Sequence, residues 1–298
     1  MAEYAQLSDF SGFLTPEQSS AIFEKAQQGS IVQQLGRQVT LGPSGKNIPV
    51  FAEDPTADWV AEGGAKHLTN GGVGLQNMQP QKIASIFVAS AEAVRADPVN
   101  YMQSMRDKVA NAFARAFDAA ALHGESSPFE HSVGETSKTE SLDSAESVYH
   151  GLNNGLMELV QDGHELTGFA LDPVSEPILN QATDSTGRPL FIDSPITETN
   201  PTVRPGRILG RPAYIGKGIR NDSDNTVAFG GDWSQIAWGV VGGISYDVSD
   251  QTTLPVGEGG SMISLWQHNL VEVRAEAEYG LVVNEPEAFV KYTYTFGS

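Results

Sequence analysis

An alternating pattern near the C-terminus places the strongest constraint on the fold. From Val271 to Val283 every odd position is apolar or aromatic, whereas the even positions from 272 to 278 are all charged. Side chains of a β-strand point alternately to the two faces of its sheet, so the pattern predicts a strand with one buried face. At about 3.3 Å per residue, the stretch from Asn269 to Val283 spans roughly 50 Å, the width expected for the whole domain. The sequence therefore predicts a flat, extended molecule.

The clearest helix is predicted between Asp97 and Gly124. Asp97 suits the N-cap position, Pro98 suits the first turn, and Gly124 suits the position after the last turn. About 26 residues at 1.5 Å each give a rod of roughly 39 Å. One apolar face along this rod is predicted by side chains at spacings of three and four residues: Met102, Met105, Val109, Phe113, Phe117 and Ala120.

Two polar segments lack the apolar residues for a core of their own. Residues 1–40 predict an arm with one short helix that begins near Thr15 and ends at Gly29. Residues 52–82 predict a long two-stranded hairpin with a glycine-rich tip. An isolated hairpin is only marginally stable in water, so we expect this one to lie on another surface, such as a neighbouring chain.

Both helices and strands are predicted in the rest of the chain. Asp143 and Glu146 have the spacing of a capping box that begins a second helix. The mixture of helices, short strands and one very long strand predicts the α+β class. The further predicted elements are a buried strand at 166–171, a helix at 173–182, and strands near 207–216, 227–229 and 236–247.

The charge balance argues against direct nucleic-acid binding. The 298-residue chain carries 37 acidic and 18 basic residues, a formal net charge of -19. A protein that binds nucleic acid through its phosphates needs Lys and Arg to neutralise them. The chain contains no cysteine, which excludes disulfides and thiolate metal sites, and it shows neither a secretion signal nor a transmembrane stretch. We therefore expect a protein that is made and used in a cytoplasm.

No motif for catalysis, cofactor binding or metal binding is predicted. The six histidines include no i, i+4 pair of the kind that holds a metal on a helix. Residues 42–47 resemble a phosphate loop, but they lack its first glycine and the Ser or Thr that would hold magnesium. Residues 222–226 begin like a calcium loop, but Val227 stands where glycine is needed and Trp233 where glutamate is needed. We interpret both segments as ordinary loops.

Charged residues are unevenly distributed in the second half of the chain. Residues 201–221 contain five bases and no acid, whereas residues 222–260 contain six acids and no base. One interpretation is a patch that faces DNA. The favoured interpretation is that basic and acidic loops pair across contacts between subunits, because the chain as a whole would repel DNA.

Several short blocks, taken in their order along residues 30–295, carry a resemblance to a known family. The blocks are DWVAEGGAK (58–66), KIA (82–84), VAS (88–90), ALDP (170–173), DSTGRPLF (184–191), LGRP (209–212), FGGDWS (229–234), HNLVEVRA (268–275) and PEAFV (286–290). Each block alone is weak, and their common order is what is specific. Together they resemble the major capsid proteins of tailed bacteriophages with the Hong Kong 97-like fold.

The resemblance implies a capsid fold in four parts. Residues 1–40 would form an N-arm and residues 52–82 an extended E-loop, and both would lie on neighbouring subunits. Residues 143–249 would form an axial A domain, whose loops meet around five-fold and six-fold axes. The discontinuous peripheral P domain, with the long spine helix and the long antiparallel strands, would comprise residues 41–51, 83–142 and 250–298.

The resemblance also implies a structural function rather than an enzymatic one. The chain is expected to self-assemble into hexamers and pentamers of an icosahedral phage head around double-stranded DNA. It is expected to bind this DNA without sequence specificity, to use no cofactor, metal or catalytic residue, and to contact no membrane. Its expected location is the virion, after assembly in the host cytoplasm. The alternatives are an encapsulin-type nanocompartment shell and, more remotely, a soluble enzyme of unknown class.

Two features that vary among such capsid proteins bear on the expected partners. Some begin with a scaffolding segment that a protease removes, whereas here the predicted spine helix starts near Asp97, so we expect a separate scaffolding protein beside a portal. Some cross-link an E-loop Lys to an Asn of a neighbour, but no Asn or Glu can be assigned to Lys66, and a cross-link is not predicted. The side chains expected at contacts between subunits are Trp59, Glu62, Lys66, Arg188, Arg204, Arg207, Asp232 and Trp233.

Overall fold

The molecule combines α-helices with strands in several sheets. A computed structural model describes residues 29–51, 57–66, 73–92, 98–124, 127–143, 148–181, 191–193, 203–255 and 262–296. The helices are α1 (Ile31–Leu35), α2 (Pro98–His123), α3 (Val148–Gln161) and α4 (Ser175–Gln181). The strands are β1 (Arg37–Gln38), β2 (Lys46–Phe51), β3 (Val73–Met78), β4 (Gln81–Ser90), β5 (Thr139–Ser141), β6 (Gly168–Leu171), β7 (Phe191–Asp193), β8 (Arg204–Ile208), β9 (Arg211–Ile215), β10 (Thr226–Gly231), β11 (Ile236–Ser249), β12 (Thr253–Pro255), β13 (Met262–Ser264), β14 (Leu270–Val283) and β15 (Phe289–Thr293).

Strand β14 lies at the centre of a long four-stranded sheet with the order β1-β11-β14-β4. It pairs antiparallel with β11 on one side and with β4 on the other, so that Ala275 lies between Tyr246 and Ser85. All the odd positions from Val271 to Val283 are buried, whereas Arg274 is exposed. The predicted strand is therefore confirmed, with the observed start one residue after Asn269.

Helix α2 packs on the buried face of this long sheet. Phe113 and Phe117 are buried, and the ring of Phe117 lies 5.2 Å from that of Tyr279 and 6.4 Å from that of Trp238. Gly124 follows the last turn with a φ of 68°, a left-handed conformation that glycine adopts without strain. The predicted rod is confirmed at its C-terminal end, whereas its predicted N-cap, Asp97, lies outside the described residues.

A second sheet has the strand order β5-β15-β10-β6-β9-β8-β7. Its central strands β6 and β10 are buried along their whole length, as expected for strands that are covered on both faces. Helix α3 covers this sheet through Leu152 and Leu159, which belong to one core with Phe169 and Tyr292. Of the two residues of the predicted capping box before α3, Glu146 lies outside the described residues. The carboxylate of the other, Asp143, accepts a hydrogen bond from the Thr295 backbone N–H at 2.5 Å.

The predicted hairpin is present, but its first strand lies earlier in the chain. Strand β2, Lys46–Phe51, pairs antiparallel with β3, Val73–Met78, so the pairing begins six residues before the predicted start at residue 52. The base of the hairpin is fixed because Ile48 and Met78 are buried in a small apolar cluster with Leu41.

No helix within these described ranges is long and apolar enough to cross a membrane.

Candidate assembly surfaces

The loop between β2 and β3 presents an exposed tryptophan. Residues 57–66 are all exposed, and the relative exposure of Trp59 is 105%. The Gly64 N–H donates to the Ala61 carbonyl at 2.9 Å, and Gly63 has a φ of 82°, so glycine is needed to make this turn. The predicted contact residues Glu62 and Lys66 lie on the same exposed loop. An indole between acidic and basic side chains suits a contact with another protein surface.

The outer face of the long sheet carries a chain of ion pairs. Arg274 lies 2.8 Å from Asp247 and 3.6 Å from Glu276, and Lys82 lies 3.5 Å from Glu276. The hydrogen bond that Arg274 donates to Asp247 and the charge of Glu276 raise the pKa of the exposed Arg274 guanidinium. On the edge strand β4, Ile86 is an exposed apolar side chain of the same face. This face therefore combines charged and apolar groups along three adjacent strands.

The basic segment predicted to pair across subunits is partly paired within the chain. Arg204 forms a bidentate ion pair with Glu176 of α4. The Arg211 Nε–H donates to the Leu166 carbonyl at 2.5 Å, which fixes this side chain against its own subunit. Arg207 is exposed on β8 and remains available for a partner, whereas Arg188 lies outside the described residues.

Two further predicted contact residues have structural functions inside the subunit. Asp232 caps the short 3₁₀ helix Trp233–Gln235, since its Oδ1 accepts a hydrogen bond from the Ser234 N–H at 3.0 Å. Trp233 is only 1% exposed, its Nε1–H donates to the Gly168 carbonyl at 2.9 Å, and its ring lies 5.3 Å from that of Phe289. The prediction that the Trp233 side chain contacts another subunit is therefore wrong, because the indole is buried in the subunit's own core.

A lysine side chain that is largely buried joins the segments next to β5, α3 and β15. The Lys138 Nζ lies 2.7 Å from Asp162, at the end of α3, and 3.4 Å from Glu287, just before β15. The hydrogen bond and charge of Lys138 lower the pKa of Asp162. Burial and the charge of Glu140 raise the pKa of Glu158 on the same helix. These contacts hold α3 to the sheet.

Sequence reasoning missed several exposed apolar side chains. Tyr149, Met157 and Val160 form an exposed stripe on α3, and Met262 and Trp266 are exposed beside the β12–β13 hairpin. The α3 stripe had a signal in the sequence, because these three residues do not share the seven-residue spacing of Leu152 and Leu159, which are buried. The three apolar side chains that share the exposed stripe of α3 suit a contact with another protein better than single exposed residues do.

Sequence reasoning also missed Asp118, a buried carboxylate on α2. Its relative exposure is 1%, and its oxygens accept hydrogen bonds from Ser30 and from the start of α1. The available signal was its position, because Ala114 and Leu122, one turn before and after it, are both buried. A charged residue on a buried helical face has a structural or functional reason to be there.

No arrangement for chemistry is found in the part of the chain that the structure describes. Within those residues there is no group of three His, Asp or Glu side chains that could hold a metal ion. A cavity of about 170 Å³ lies between the base of the β2–β3 hairpin and residues 128–131, and four amide side chains line it: Gln76, Asn77, Gln79 and Gln81. The exposed loop and strand faces described above are suited to contacts between proteins, as in the subunit of an assembly.

Comparisons with known proteins agree with this class. Residues 11–294 match the family model described as the phage capsid family. The chain is 48% identical over 300 residues to the probable major capsid protein gp17 of Mycobacterium phage D29, with 98% of this chain and 94% of that protein covered. It is 46% identical over 302 residues to the probable major capsid protein gp17 of Mycobacterium phage L5, with 97% and 92% covered.

A solved structure from Gordonia phage Cozz has a similar fold. It superposes with a TM-score of 0.67 at 25% identity, and it covers 90% of this chain and 87% of that one. The chain belongs to the phage capsid family. Its function is that of a phage major capsid protein, a self-associating component of the virion, and neither the nanocompartment nor the enzyme is favoured.

Proposed function

We propose that this chain is a Hong Kong 97-like subunit that forms the hexamers and pentamers of an icosahedral head around double-stranded DNA. In this proposal α2 is the spine helix, the β2–β3 hairpin is the base of the E-loop, and strands β6 to β10 of the second sheet belong to the A domain. Support comes from the long helix on a long sheet, the projecting hairpin, and the capsid folds that match 90% or more of the chain.

The observation that carries the proposal is the exposure of residues 57–66. Trp59 is fully exposed in the single subunit, although tryptophan is among the most buried side chains on average. Burying an indole removes about 150–250 Å² from water, which at about 25 cal/mol per Å² contributes about 4–6 kcal/mol per contact. Each subunit would present one such loop, so a closed shell would repeat the contact around every capsomer.

The acidic charge fits a shell that encloses DNA without holding it. A net charge of -19 opposes tight, non-specific binding to phosphates, so packaged DNA would remain movable against the inner wall. A separate scaffolding protein, a portal, and assembly in the host cytoplasm remain predictions from the family resemblance. The proposed function requires no catalytic residue and no cofactor.

Negative-stain electron microscopy of the purified chain tests the proposal. We expect uniform polyhedral shells, together with rings of five and six subunits under conditions that weaken assembly. A chain that remains a small monomer at all protein and salt concentrations would contradict the proposed function. A strongly basic inner wall in a reconstructed shell would contradict the proposed way of enclosing DNA.

The variant Trp59→Ala tests whether the exposed loop makes a contact that drives assembly. We expect the protein concentration needed for shell formation to rise at least tenfold, because one buried indole is lost per subunit. Trp59→Phe keeps an aromatic ring and should assemble at an intermediate concentration. Both variants should unfold like the parent in urea, since Trp59 makes no contribution to the subunit's own core. Unchanged assembly of Trp59→Ala would refute the contact while leaving the capsid function intact.

A further inference from the structure

A buried carboxylate joins the first described helix to α2. Asp118 Oδ2 accepts a hydrogen bond from the Ile31 N–H at 2.9 Å, and its Oδ1 accepts one from the Val32 N–H at 3.2 Å. The Ser30 hydroxyl donates to Asp118 Oδ1 at 2.5 Å and accepts from the Gln33 N–H at 3.1 Å. The first N–H groups of a helix have no partner inside the helix. Here Ser30 and Asp118 together supply partners for three of them.

Helix α1 depends on this contact for its conformation. It has five residues, far fewer than a helix needs to be stable alone in water. Its remaining support is the burial of Ile31 and Val32 in the core beneath α2. The carboxylate comes from a residue 86 to 88 positions away in sequence, so the cap exists only when the beginning of the chain is docked.

When α1 is docked, the charged form of the Asp118 carboxyl is disfavoured because it is buried. Burial raises the pKa of Asp118 to about 7, against the opposing effect of the three hydrogen bonds from Ser30, Ile31 and Val32. Among the described residues, no neighbouring charge raises or lowers the pKa of Asp118. Helix α1 has no acid in its first turn and no base in its last. Arg115, on the preceding turn of α2, is exposed, and its Nε–H donates to the Asn111 carbonyl instead.

The side chain of Gln33 in α1 also lacks hydrogen-bond partners within the described part of the chain. Gln33 is 3% exposed, and neither atom of its side-chain amide has a hydrogen-bond partner among the described residues. The amide lies near the hydroxyl of Tyr279, the titratable group on this side, without making a standard hydrogen bond to it. Buried polar groups without partners lower the free energy needed to open the structure around them.

We propose that Asp118 is a positioning residue that latches α1 to the long helix, and that this latch opens without unfolding the rest of the subunit. The latch fixes the position of α1, with which the described part of the chain begins. The N-arm expected from the family resemblance includes α1, so the inference rests on the proposed assembly function and extends it. The opening itself is a property of the single subunit and is measured before assembly.

The latch is expected to depend on pH with a definite sign. The docked carboxyl has a pKa of about 7, against an ordinary value of 3.8, so the docked state binds its proton more tightly than the opened state. Protonation therefore favours docking, and docking weakens as pH rises from about 4 to about 7. From these two values, the equilibrium constant for opening should rise about 50-fold between pH 5 and pH 7 and level off above about pH 8.

Hydrogen exchange of the unassembled subunit, followed by mass spectrometry and corrected for the intrinsic effect of pH, tests the latch. We expect peptides that cover residues 29–36 to show the rise of about 50-fold, while peptides from β14 stay protected. Asp118→Asn should show a flat profile, because an amide does not titrate. Asp107→Asn, the same change on the same helix, should keep the parent profile.

Three results would overturn the proposal. A flat profile in the parent chain would exclude the carboxylate as the controlling group. Exchange of α1 at the same rate as β14 would show that α1 opens only by global unfolding. If Asp118→Asn does not fold, Ser30→Ala serves instead. It removes the hydrogen bonds to Asp118 and from the Gln33 N–H, and should raise opening at least about fivefold. No change in that variant would refute the latch. None of these results depends on whether the chain forms shells.

Discussion

Gly155 brings helix α3 close to Tyr292 of β15, and this approach yields a sharp test of the packing. A Cβ atom at Gly155 would lie 3.0 Å from Tyr292 Cζ and 3.1 Å from its Cε1, and still nearer to the hydroxyl oxygen. Tyr292 is fully buried, and its hydroxyl has no hydrogen-bond partner within the described residues. Burial also raises the pKa of this hydroxyl above its ordinary value, so it stays protonated at neutral pH.

The two side chains should therefore be energetically coupled. Replacing a helical glycine by alanine gains about 0.5–1 kcal/mol, but forcing an atom into a packed core costs about 1–3 kcal/mol. Gly155→Ala should destabilise the subunit by about 1–2 kcal/mol on balance. Tyr292→Phe removes an unpaired buried hydroxyl and should leave the stability unchanged or raise it by about 1 kcal/mol. In the double variant the new methyl group occupies the space of the hydroxyl, so most of the alanine penalty should vanish.

Urea denaturation of the unassembled subunit at pH 7 measures this double-mutant cycle. We expect a coupling energy of at least about 1 kcal/mol between the two changes. Gly163→Ala is the matched control, because a Cβ at Gly163 would meet no atom within 4 Å and its penalty comes from a φ of 85°. Its effect should add to that of Tyr292→Phe. Additive effects for Gly155→Ala as well would refute the close packing of α3 on β15.

Two further predictions concern other buried contacts of the subunit. Trp233→Phe removes the hydrogen bond to the Gly168 carbonyl and part of a buried ring, so it should lower the free energy of unfolding in urea by about 2–3 kcal/mol. The shells seen by electron microscopy should not change. An unchanged urea midpoint would argue against the buried indole. Lys138→Met should destabilise the subunit at pH 7 and much less at pH 3, since Asp162 has a lowered pKa and its contribution is lost as pH falls. Burial raises the pKa of Glu287, but hydrogen bonds from Ser137 and Lys138 together lower it, so its contribution has the same sign; an equal loss at both pH values in urea denaturation would contradict this network.

The long strand and the long helix could be predicted because their signals are local. Val271 to Val283 alternates at every residue, and the stripe on α2 repeats every three or four residues. The pairing of strand β2 lacked such a signal. The strand is a six-residue edge segment with a proline at position 49, and Ile48 anchors it in a core. Its pairing with β3 depends on closing a loop of more than 20 residues, which no local pattern encodes.

The functional residues were harder to predict than the elements that hold them. The position of Asp118 on an apolar helical face is visible in the sequence, but its function as a cap depends on α1, which docks against it from 86 residues away. Trp233 shows the opposite error. The family resemblance predicts a contact between subunits for Trp233, but the Gly168 carbonyl accepts its indole N–H and its ring packs on Phe289 in the subunit's own core. Burial of a large aromatic side chain depends on space that distant residues provide, so composition and spacing alone do not decide it.

The ion pairs inside the subunit bear on how acidic copies of the chain can associate. Each copy carries a net charge of -19, and part of its basic complement is already paired within the chain. At physiological ionic strength, exposed charges are screened beyond about 8 Å, so repulsion acts mainly where two surfaces meet. New ion pairs between exposed groups contribute only up to about 1 kcal/mol each. Apolar groups that become buried at a contact contribute more. We therefore favour Trp59 and the exposed apolar side chains of α3 and the β12–β13 hairpin as the groups that hold copies together. The charged groups would then decide which surfaces meet. The paired residues are Lys138 with Asp162, Arg204 with Glu176, Arg220 with Asp222 and Arg274 with Asp247.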